Sequence, residues 1–330
     1  MNRKAEQLNK RAGFTIIELL TVMSIIIILI SIMVPSLNRV KRYALQVKQK
    51  KNFTAIDAGL TMFNAEFDGY PESSQMDRPT GGVPYCGAMR LAEAMVGQDV
   101  LGFHPQSHFY QNGTTDGLAP GSPTSAVPPG NDLYPARRLV NPPPTPPSLP
   151  TVDIAGSERE RKGLYLPREN ANIYVMGDLF TDVSTIFGGN AYSLPVLCDV
   201  YANVPNIRTG RNVGTPILYY KASARNTSHP IKNSENLTNP QLNIYNYLDN
   251  YDLLSLQVPW MPGTYHPMGL AGRPTPLGAT VNADPFVFYD AILNEKLSVP
   301  RPFNSDSYIL ISAGFDGLFG TKDDVFNFEN

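Results

Sequence analysis

A single carboxylate, Glu18, lies inside a long apolar run and is the strongest chemical signal in the sequence. The run extends from Phe14 to Val34, which is 21 residues and long enough for a helix to cross a bilayer. An unpaired charge there costs about 2.5–3.5 kcal/mol on membrane-insertion scales, so Glu18 requires a partner. Cleavage after Gly13 would create one, because the charged amine of Phe14 in a neighbouring copy could pair with this carboxylate. These residues predict a processed chain that assembles into a filament.

A second group of acids lies near the C-terminus, in the segment 312–324, which we call the acidic loop. Asp316, Asp323 and Asp324 supply carboxylates, and the glycines between them let the backbone fold round an ion. Carboxylates and backbone carbonyls are the ligands that Ca²⁺ takes in proteins. The 12-residue spacing of an EF-hand is absent. The acidic loop therefore predicts a calcium site, with a tight Asp-Gly turn as the alternative.

The two cysteines, Cys86 and Cys198, are too few for a disulfide framework. Outside the cytoplasm they could pair and close a long loop, which stabilises a fold by about 4–5 kcal/mol in the chain-entropy model. Two separate buried thiols are the alternative. His104 and His108 have the spacing of a helical metal pair, but Pro105 lies between them, so we expect loop histidines.

The range 11–20 reads Arg-Ala-Gly-Phe-Thr-Ile-Ile-Glu-Leu-Leu and resembles the processing site of type IV pilins and type II secretion pseudopilins. In that family a membrane peptidase cleaves after the glycine and methylates the new N-terminal residue, usually a phenylalanine. The resemblance implies cleavage between Gly13 and Phe14 and methylation of Phe14. It also implies that Glu18 acts in assembly and that Pro35 lies where many members kink this helix. An ordinary signal anchor with a stray carboxylate is the alternative.

The acidic loop is similar to the C-terminal calcium loop of the major type II pseudopilins, which lies on a face between subunits. This resemblance implies that Asp316, Asp323 and Asp324 are metal ligands. It also implies backbone carbonyl ligands, for which Leu318 is our candidate. The loop departs from the family pattern, so the backbone ligands are the least defined part of the prediction.

The chain divides into five predicted segments: a basic leader at 1–13, a transmembrane segment at 14–34, an amphipathic continuation of that helix at 35–70, a loop-rich and proline-rich insertion at 71–170, and a β-rich domain with the acidic loop at 171–330. The large insertions are not explained by the resemblance. The proline density is highest between residues 119 and 150, which favours extended, surface-laid chain.

An apolar stripe at helical spacing predicts one helix from Phe14 to Phe67, about 80 Å long at 1.5 Å per residue. Its members after Pro35 are Val40, Tyr43, Ala44, Val47, Phe53, Ile56, Leu60, Phe63 and Phe67. The stripe must be covered, most simply by a sheet from later in the chain. The helix should end near Asp68-Gly69-Tyr70-Pro71.

Strand-like runs follow at 171–176, 195–200, 215–222 and 307–312, and a short helical run lies at 87–96. Short strands separated by turn residues suggest an antiparallel sheet. The predicted fold class is therefore α+β: a long N-terminal helix, transmembrane in its first half, packed on a C-terminal antiparallel β-sheet, as in pilins.

The sequence and the resemblance together predict a structural, non-enzymatic subunit of a type II secretion pseudopilus or a type IV pilus-like filament. The implied partners are other copies and other pilin-like subunits, prepilin peptidase, and an inner-membrane assembly platform with a cytoplasmic ATPase. The implied location is the bacterial inner membrane, single-pass, with the C-terminal domain in the periplasm or in a cell-surface filament. The net charge of −2 gives no reason to expect nucleic-acid binding.

Two other classes of function stay open at this point. A membrane-anchored extracytoplasmic binding protein would keep its leader and form no filament. An anchored hydrolase would use Cys86 or a serine with a histidine, but no Gly-x-Ser-x-Gly or His-Glu-x-x-His motif occurs.

Overall fold

The structure is a computed structural model that describes residues 14–74, 84–114, 133–134, 154–167, 169, 171–230, 242–256, 258–259, 261, 263–268, 271–274, 280–282 and 286–328. The leader, Gly13 and nearly all of the proline-rich segment 119–150 lie outside these residues. The chain forms two compact units, residues 1–45 and residues 46–330. Within the second unit one hydrophobic core extends from Phe53 to Phe319, so it continues across the predicted boundary at residue 170.

Helix α1 runs from Ile16 to Phe67 and has Pro35 inside it, which confirms the predicted long helix. It ends where Asp68 takes a φ of 53° and Gly69 follows, because left-handed backbone terminates a helix. The side chains between residues 14 and 34 are all exposed in the isolated chain. This segment has no protein core around it.

The apolar stripe of α1 is buried only in its second half. Phe53, Ile56, Leu60 and Phe63 are buried, whereas Val40, Tyr43 and Val47 are 62, 69 and 51% exposed. Within the isolated chain the predicted sheet therefore does not cover residues 40–47 of the stripe. In the 46–330 unit, the anchored part of α1 begins at Gln49, whose side-chain oxygen accepts a bond from the Val200 amide at 3.2 Å.

The described residues form eleven short strands: β1 Ile173–Val175, β2 Pro195–Leu197, β3 Val204–Pro205, β4 Asn212–Val213, β5 Leu218–Lys221, β6 Ala271–Pro274, β7 Thr280–Asn282, β8 Leu293–Asn294, β9 Arg301–Pro302, β10 Tyr308–Ser312 and β11 Val325–Phe326. They also form α2 Gly87–Val96, α3 Ile154–Glu160, α4 Met176–Leu179, α5 Val183–Phe187, α6 Tyr251–Leu254 and α7 Phe286–Ala291. Single 3-10 turns lie at Gly189–Ser193 and Tyr247–Asn250.

The main sheet is antiparallel with the order β11-β10-β5, and β10 is buried along its whole length. Strands β1 and β2 pair antiparallel, and a bridge between Cys198 and Pro216 joins their end to the start of β5. These four elements, β1, β2, β5 and β10, lie within the four predicted strand runs. The observed strands are three or four residues long at three of those places, shorter than the predicted runs.

Helix α2 has the predicted bounds, and all ten of its residues are buried. It lies against β2 and β5. A Cβ on Gly87 would come within 2.2 Å of the Tyr219 carbonyl oxygen, so only glycine allows this approach of helix and strand. The part of the chain predicted to be an insertion thus contributes a central core helix.

A buried ion pair organises the segment after α2. The guanidinium of Arg161 donates two parallel bonds to the Asp99 carboxylate, at 2.8 and 2.9 Å, and both side chains are at most 3% exposed. The same guanidinium lies 4.4 Å from the centre of the Tyr134 ring and donates to the Leu133 and Gly102 carbonyls. Arg161 therefore ties together segments that are distant in sequence.

The disulfide considered between Cys86 and Cys198 is not present, and both are free buried thiols. Cys86 is the N-cap residue of α2, and its carbonyl accepts the Met89 and Arg90 amides. Cys198 follows β2, and its carbonyl accepts a bond from Asn52 at 3.3 Å. Burial raises the pKa of the Cys86 thiol to about 12 and that of Cys198 well above its ordinary value, so neither is a ready nucleophile.

Candidate functional site

The N-terminal end of α1 brings together the residues predicted for processing and assembly. Phe14 is the first described residue and is 75% exposed. Gly13, the other residue of the predicted cleavage site, lies outside the described residues. The structure therefore places the predicted methylation site at an accessible position one residue before the helix cap.

The carboxylate of Glu18 forms a capping box with Thr15. Its Oε2 accepts a bond from the Thr15 amide at 2.9 Å and one from the Thr15 hydroxyl at 2.8 Å. The Glu18 amide in turn lies 3.3 Å from the Thr15 hydroxyl oxygen. The Thr15 and Glu18 amides, which have no carbonyl partner within the helix, are thus each bonded by the side chain of the other residue. The motif Thr-x-x-Glu was visible in the sequence, but we did not predict this role for Glu18.

The capping box does not neutralise the charge, because both Thr15 groups are neutral donors. A positive group in a neighbouring copy could therefore still add Coulomb attraction in a low-dielectric environment. Whether Glu18 and Pro35 act in assembly stays a prediction. Pro35 lacks an amide hydrogen and removes one backbone bond from within α1.

One helix in the described part of the chain, α1, is long and apolar enough to cross a membrane. Its most apolar 18-residue window has a mean hydropathy of 2.8 and is not buried at all. Its three hydroxyl residues between positions 21 and 31 each donate to a carbonyl three or four positions earlier. The helix thereby satisfies these polar groups internally, as a lipid environment demands.

The acidic loop connects β10 to β11, and its oxygen atoms converge near Thr321. The Thr321 hydroxyl oxygen lies 2.7 Å from Asp323 Oδ1 and 3.2 Å from the Leu318 carbonyl oxygen. The carboxylates of Asp316 and Asp323 are close enough for the charge of Asp323 to act on Asp316. A carbonyl, a hydroxyl and two carboxylates are the oxygen types that Ca²⁺ accepts.

Backbone amides already hold the carboxylates of this loop. Asp323 Oδ2 accepts the amides of Phe315 and Asp316 at 2.6 and 3.0 Å, and Asp316 Oδ1 accepts the Leu318 amide at 2.8 Å. The turn depends on Gly314, whose φ is 65° and whose Cβ would lie 2.1 Å from the Asp323 carbonyl oxygen. These bonds are what the alternative of a tight turn requires, and they shape the loop without an ion.

The pKa values of the two neighbouring acids move apart. Burial, and next the charge of Asp323, raises the pKa of Asp316 above its ordinary value. Burial alone would raise the pKa of Asp323 as well, but bonds from Thr321 and from backbone amides lower it below its ordinary value. A bound cation would relieve the repulsion between the two carboxylates.

Asp324 is held apart from this pair of acids. Its Oδ2 accepts the Gly320 amide at 2.8 Å, and its Oδ1 is buried without a hydrogen-bond partner among the described residues. Burial, with repulsion from Asp323 and Asp316, raises its pKa to about 8. It lines a cavity of 510 Å³ together with Val287 and Ala291 of α7.

No three His, Cys, Asp or Glu side chains are arranged to hold a metal ion within the described ranges. The acidic loop thus fits Ca²⁺ only through the Asp316–Asp323 pair, the Leu318 carbonyl and the Thr321 hydroxyl. Sequence reasoning did not include Thr321 among the candidate ligands. Its position two residues before Asp323 is the signal that could have suggested it.

Two histidines, His104 and His266, are buried and hydrogen-bonded within the described part of the chain. His104 is buried, accepts the Gln106 amide at 3.2 Å and lies 3.3 Å from the Glu160 carboxylate. His266 is buried and accepts the Phe319 amide at 3.2 Å. His266 and Phe319 thereby link the acidic loop to the segment before β6.

Residues 8–34 match a protein family described as the prokaryotic N-terminal methylation motif. Together with the long apolar N-terminal helix, this match fits a type IV pilin or pseudopilin. It supports processing by prepilin peptidase, assembly with other pilin subunits and a single-pass membrane anchor. No curated protein and no solved structure matches the chain.

Proposed function

We propose that this chain is a structural subunit of a type II secretion pseudopilus, or of a related type IV pilus-like filament, with no catalytic activity of its own. The observation that carries the proposal is the methylation motif at 8–34, which runs directly into the unburied apolar part of α1. In this proposal, apolar packing of the N-terminal segments joins the copies. Pairing of Glu18 with the Phe14 amine of the adjacent copy sets their register.

The proposed topology places the leader in the cytoplasm and residues after the span in the periplasm or in a cell-surface filament. The span lies in the bacterial inner membrane until an assembly platform with a cytoplasmic ATPase extracts it. The chain itself has no Gly-x4-Gly-Lys-[Ser/Thr] loop to bind nucleotide phosphates. The exposed basic residues between Arg39 and Lys51 suit anionic headgroups at the membrane boundary, or acids of the next subunit.

Processing is the first test of this proposal. We expect the protein extracted from membranes of its native host to begin at an N-methylated Phe14, as measured by mass spectrometry of the N-terminal peptide. A Gly13→Val variant is the control and should keep Met1, because the resemblance implies cleavage after a glycine. A wild-type chain that keeps its leader in cells with an active peptidase would contradict the proposal and support an anchored binding protein.

The second part of the proposal is that the acidic loop binds Ca²⁺, which would favour the secretion class over a surface pilus. The ligands would be Asp316, Asp323 and the Leu318 carbonyl, with Thr321 next to them. Asp324, the other acid that the resemblance implies as a ligand, is bonded to the Gly320 amide and lies apart from them. The ion would order the turn between β10 and β11 and neutralise neighbouring carboxylates.

Removal of calcium should therefore destabilise the folded domain. At a free Ca²⁺ concentration about 100 times the dissociation constant, the stabilisation is about 2.7 kcal/mol. For the full chain in detergent we expect the melting temperature to fall by several degrees when EGTA replaces Ca²⁺. The variant Asp323→Asn should show no such response, whereas Asp306→Asn, an acid outside the loop, should keep it. Identical melting with and without Ca²⁺ would reduce the loop to a turn.

A further inference from the structure

Asp199, a buried acid outside the predicted sites, lies beside the entrance of the acidic loop. It follows β2 and is 1% exposed. Its Oδ1 accepts the amides of Tyr201 and Thr215 at 3.1 and 3.0 Å, and its Oδ2 accepts the hydroxyl of Ser312 at 2.8 Å. Ser312 is both the last residue of β10 and the first residue of the acidic loop, so Asp199 holds the loop where it starts.

The chain on either side of Asp199 is bonded to helix α1. The Cys198 carbonyl accepts the side-chain amide of Asn52 at 3.3 Å, and the Val200 amide donates to the Gln49 side chain at 3.2 Å. We call the segment 198–203 the clamp. Its last residue, Asn203, donates to the Gly314 carbonyl at 3.1 Å, which is a second bond to the acidic loop.

The exit of the acidic loop also lies next to α1. Asp57 of α1 accepts the Tyr308 hydroxyl at 2.9 Å, and it lines one cavity together with Asn327, which follows β11. The Asn327 side-chain oxygen accepts the Leu310 amide at 2.9 Å, which fixes the end of β11 on β10. Both ends of the loop therefore lie at the same helix: the entrance is bonded to it through the clamp, and the exit lies next to Asp57.

We propose that Asp199 is a positioning residue that fixes the entrance of the acidic loop to helix α1, through Ser312 on one side and the clamp on the other. A change that loosens the loop should therefore also loosen α1 between Gln49 and Asp57. This inference does not depend on filament assembly. Only its extension to calcium rests on the proposed function. In that extension, an ion that orders the loop would also reduce the motion of α1 between Gln49 and Asp57.

The chain offers a matched pair of serines to test this inference. Ser312 donates to buried Asp199, and Ser73 donates in the same way to buried Asp249 at 2.6 Å, next to β5. Each serine oxygen also accepts one backbone amide, from Gly314 and from Lys221 respectively. Ser312→Ala and Ser73→Ala therefore remove equivalent bonds, but only the first lies at the acidic loop.

The measurement is amide hydrogen exchange of the full chain in detergent, without calcium, for peptides covering 313–324 and 49–57. We expect Ser312→Ala to accelerate exchange in both regions, by about tenfold in the loop, because one buried hydrogen bond to a carboxyl group is lost. Ser73→Ala should leave both regions unchanged. Asp199→Asn is the second variant and should act like Ser312→Ala. Unchanged loop exchange in both Ser312→Ala and Asp199→Asn, or an equal effect of Ser73→Ala, would overturn the inference.

A calcium titration by calorimetry separates this inference from the calcium proposal. If wild type binds Ca²⁺, Ser312→Ala should raise the apparent dissociation constant about tenfold, whereas Ser73→Ala should leave it unchanged. Equal affinity of Ser312→Ala and wild type would overturn the extension of the positioning role to calcium. If wild type binds no Ca²⁺, the calcium proposal is wrong, and the exchange comparison without calcium alone decides the role of Asp199.

Discussion

The Glu18→Ala chain should stay in the membrane and form no filaments, whereas wild type should assemble. In the filament, removal of the carboxylate would leave the Phe14 amine of a neighbouring copy unpaired in a low-dielectric environment. Breaking a buried ion pair in this way costs about 3–5 kcal/mol. Since about 1.4 kcal/mol is a tenfold change in an equilibrium, each subunit contact would weaken by more than a hundredfold. Sheared filaments and membrane fractions from the native host would be compared by immunoblot.

The capping box requires a control, because Glu18→Ala also removes the helix cap that Glu18 forms with Thr15. Loss of a cap costs only about 1 kcal/mol. Thr15→Ala breaks the same cap but keeps the charge, so it should still assemble. Equal loss of filaments in both variants would assign the effect to the helix cap. A wild-type yield from Glu18→Ala would remove the pairing argument.

The elements with a strong local pattern could be predicted from the sequence. The end of α1 at Phe67 follows from Asp68 and Gly69, and the bounds of α2 at Gly87 and Val96 follow from its composition. The strands β5 and β10 lie where Tyr, Ile and Leu cluster between turn residues. The acidic loop was also predicted from local residue types, because its carboxylates and glycines are close in sequence.

The features that the sequence did not predict depend on contacts between distant segments. The burial of α2 follows from its approach to β5 at Gly87, and nothing near Gly87 in the sequence indicates that partner. The role of Asp199 depends on Ser312, more than a hundred residues later. Val40 and Tyr43 are exposed although they belong to the apolar stripe of α1. Helical periodicity predicts which face of a helix is apolar, but it does not predict which element covers that face.

The buried pair of Arg161 and Asp99 is the clearest case of such a distant contact, and it gives the largest expected effect on stability. Arg161→Met would keep the bulk of the side chain but leave Asp99 buried without its cation. It would also remove bonds to Leu133 and Gly102 and the contact with the Tyr134 ring. We expect the free energy of unfolding to fall by about 3–5 kcal/mol.

Arg208 supplies the matched control, because it forms an ion pair with Asp178 at 2.6 Å while its side chain is 71% exposed. Arg208→Met should cost about 0–1 kcal/mol, since solvent screens a pair whose cation is exposed, although Asp178 itself is 13% exposed. Both variants would be unfolded with urea as full chains in detergent, followed by the near-ultraviolet circular dichroism of the buried tyrosines. Double replacement of Arg161 by Met and Asp99 by Leu should recover part of the loss, because no unpaired charge then stays in the core. If the two single variants differed by less than about 1 kcal/mol, the buried pair would not hold these segments together.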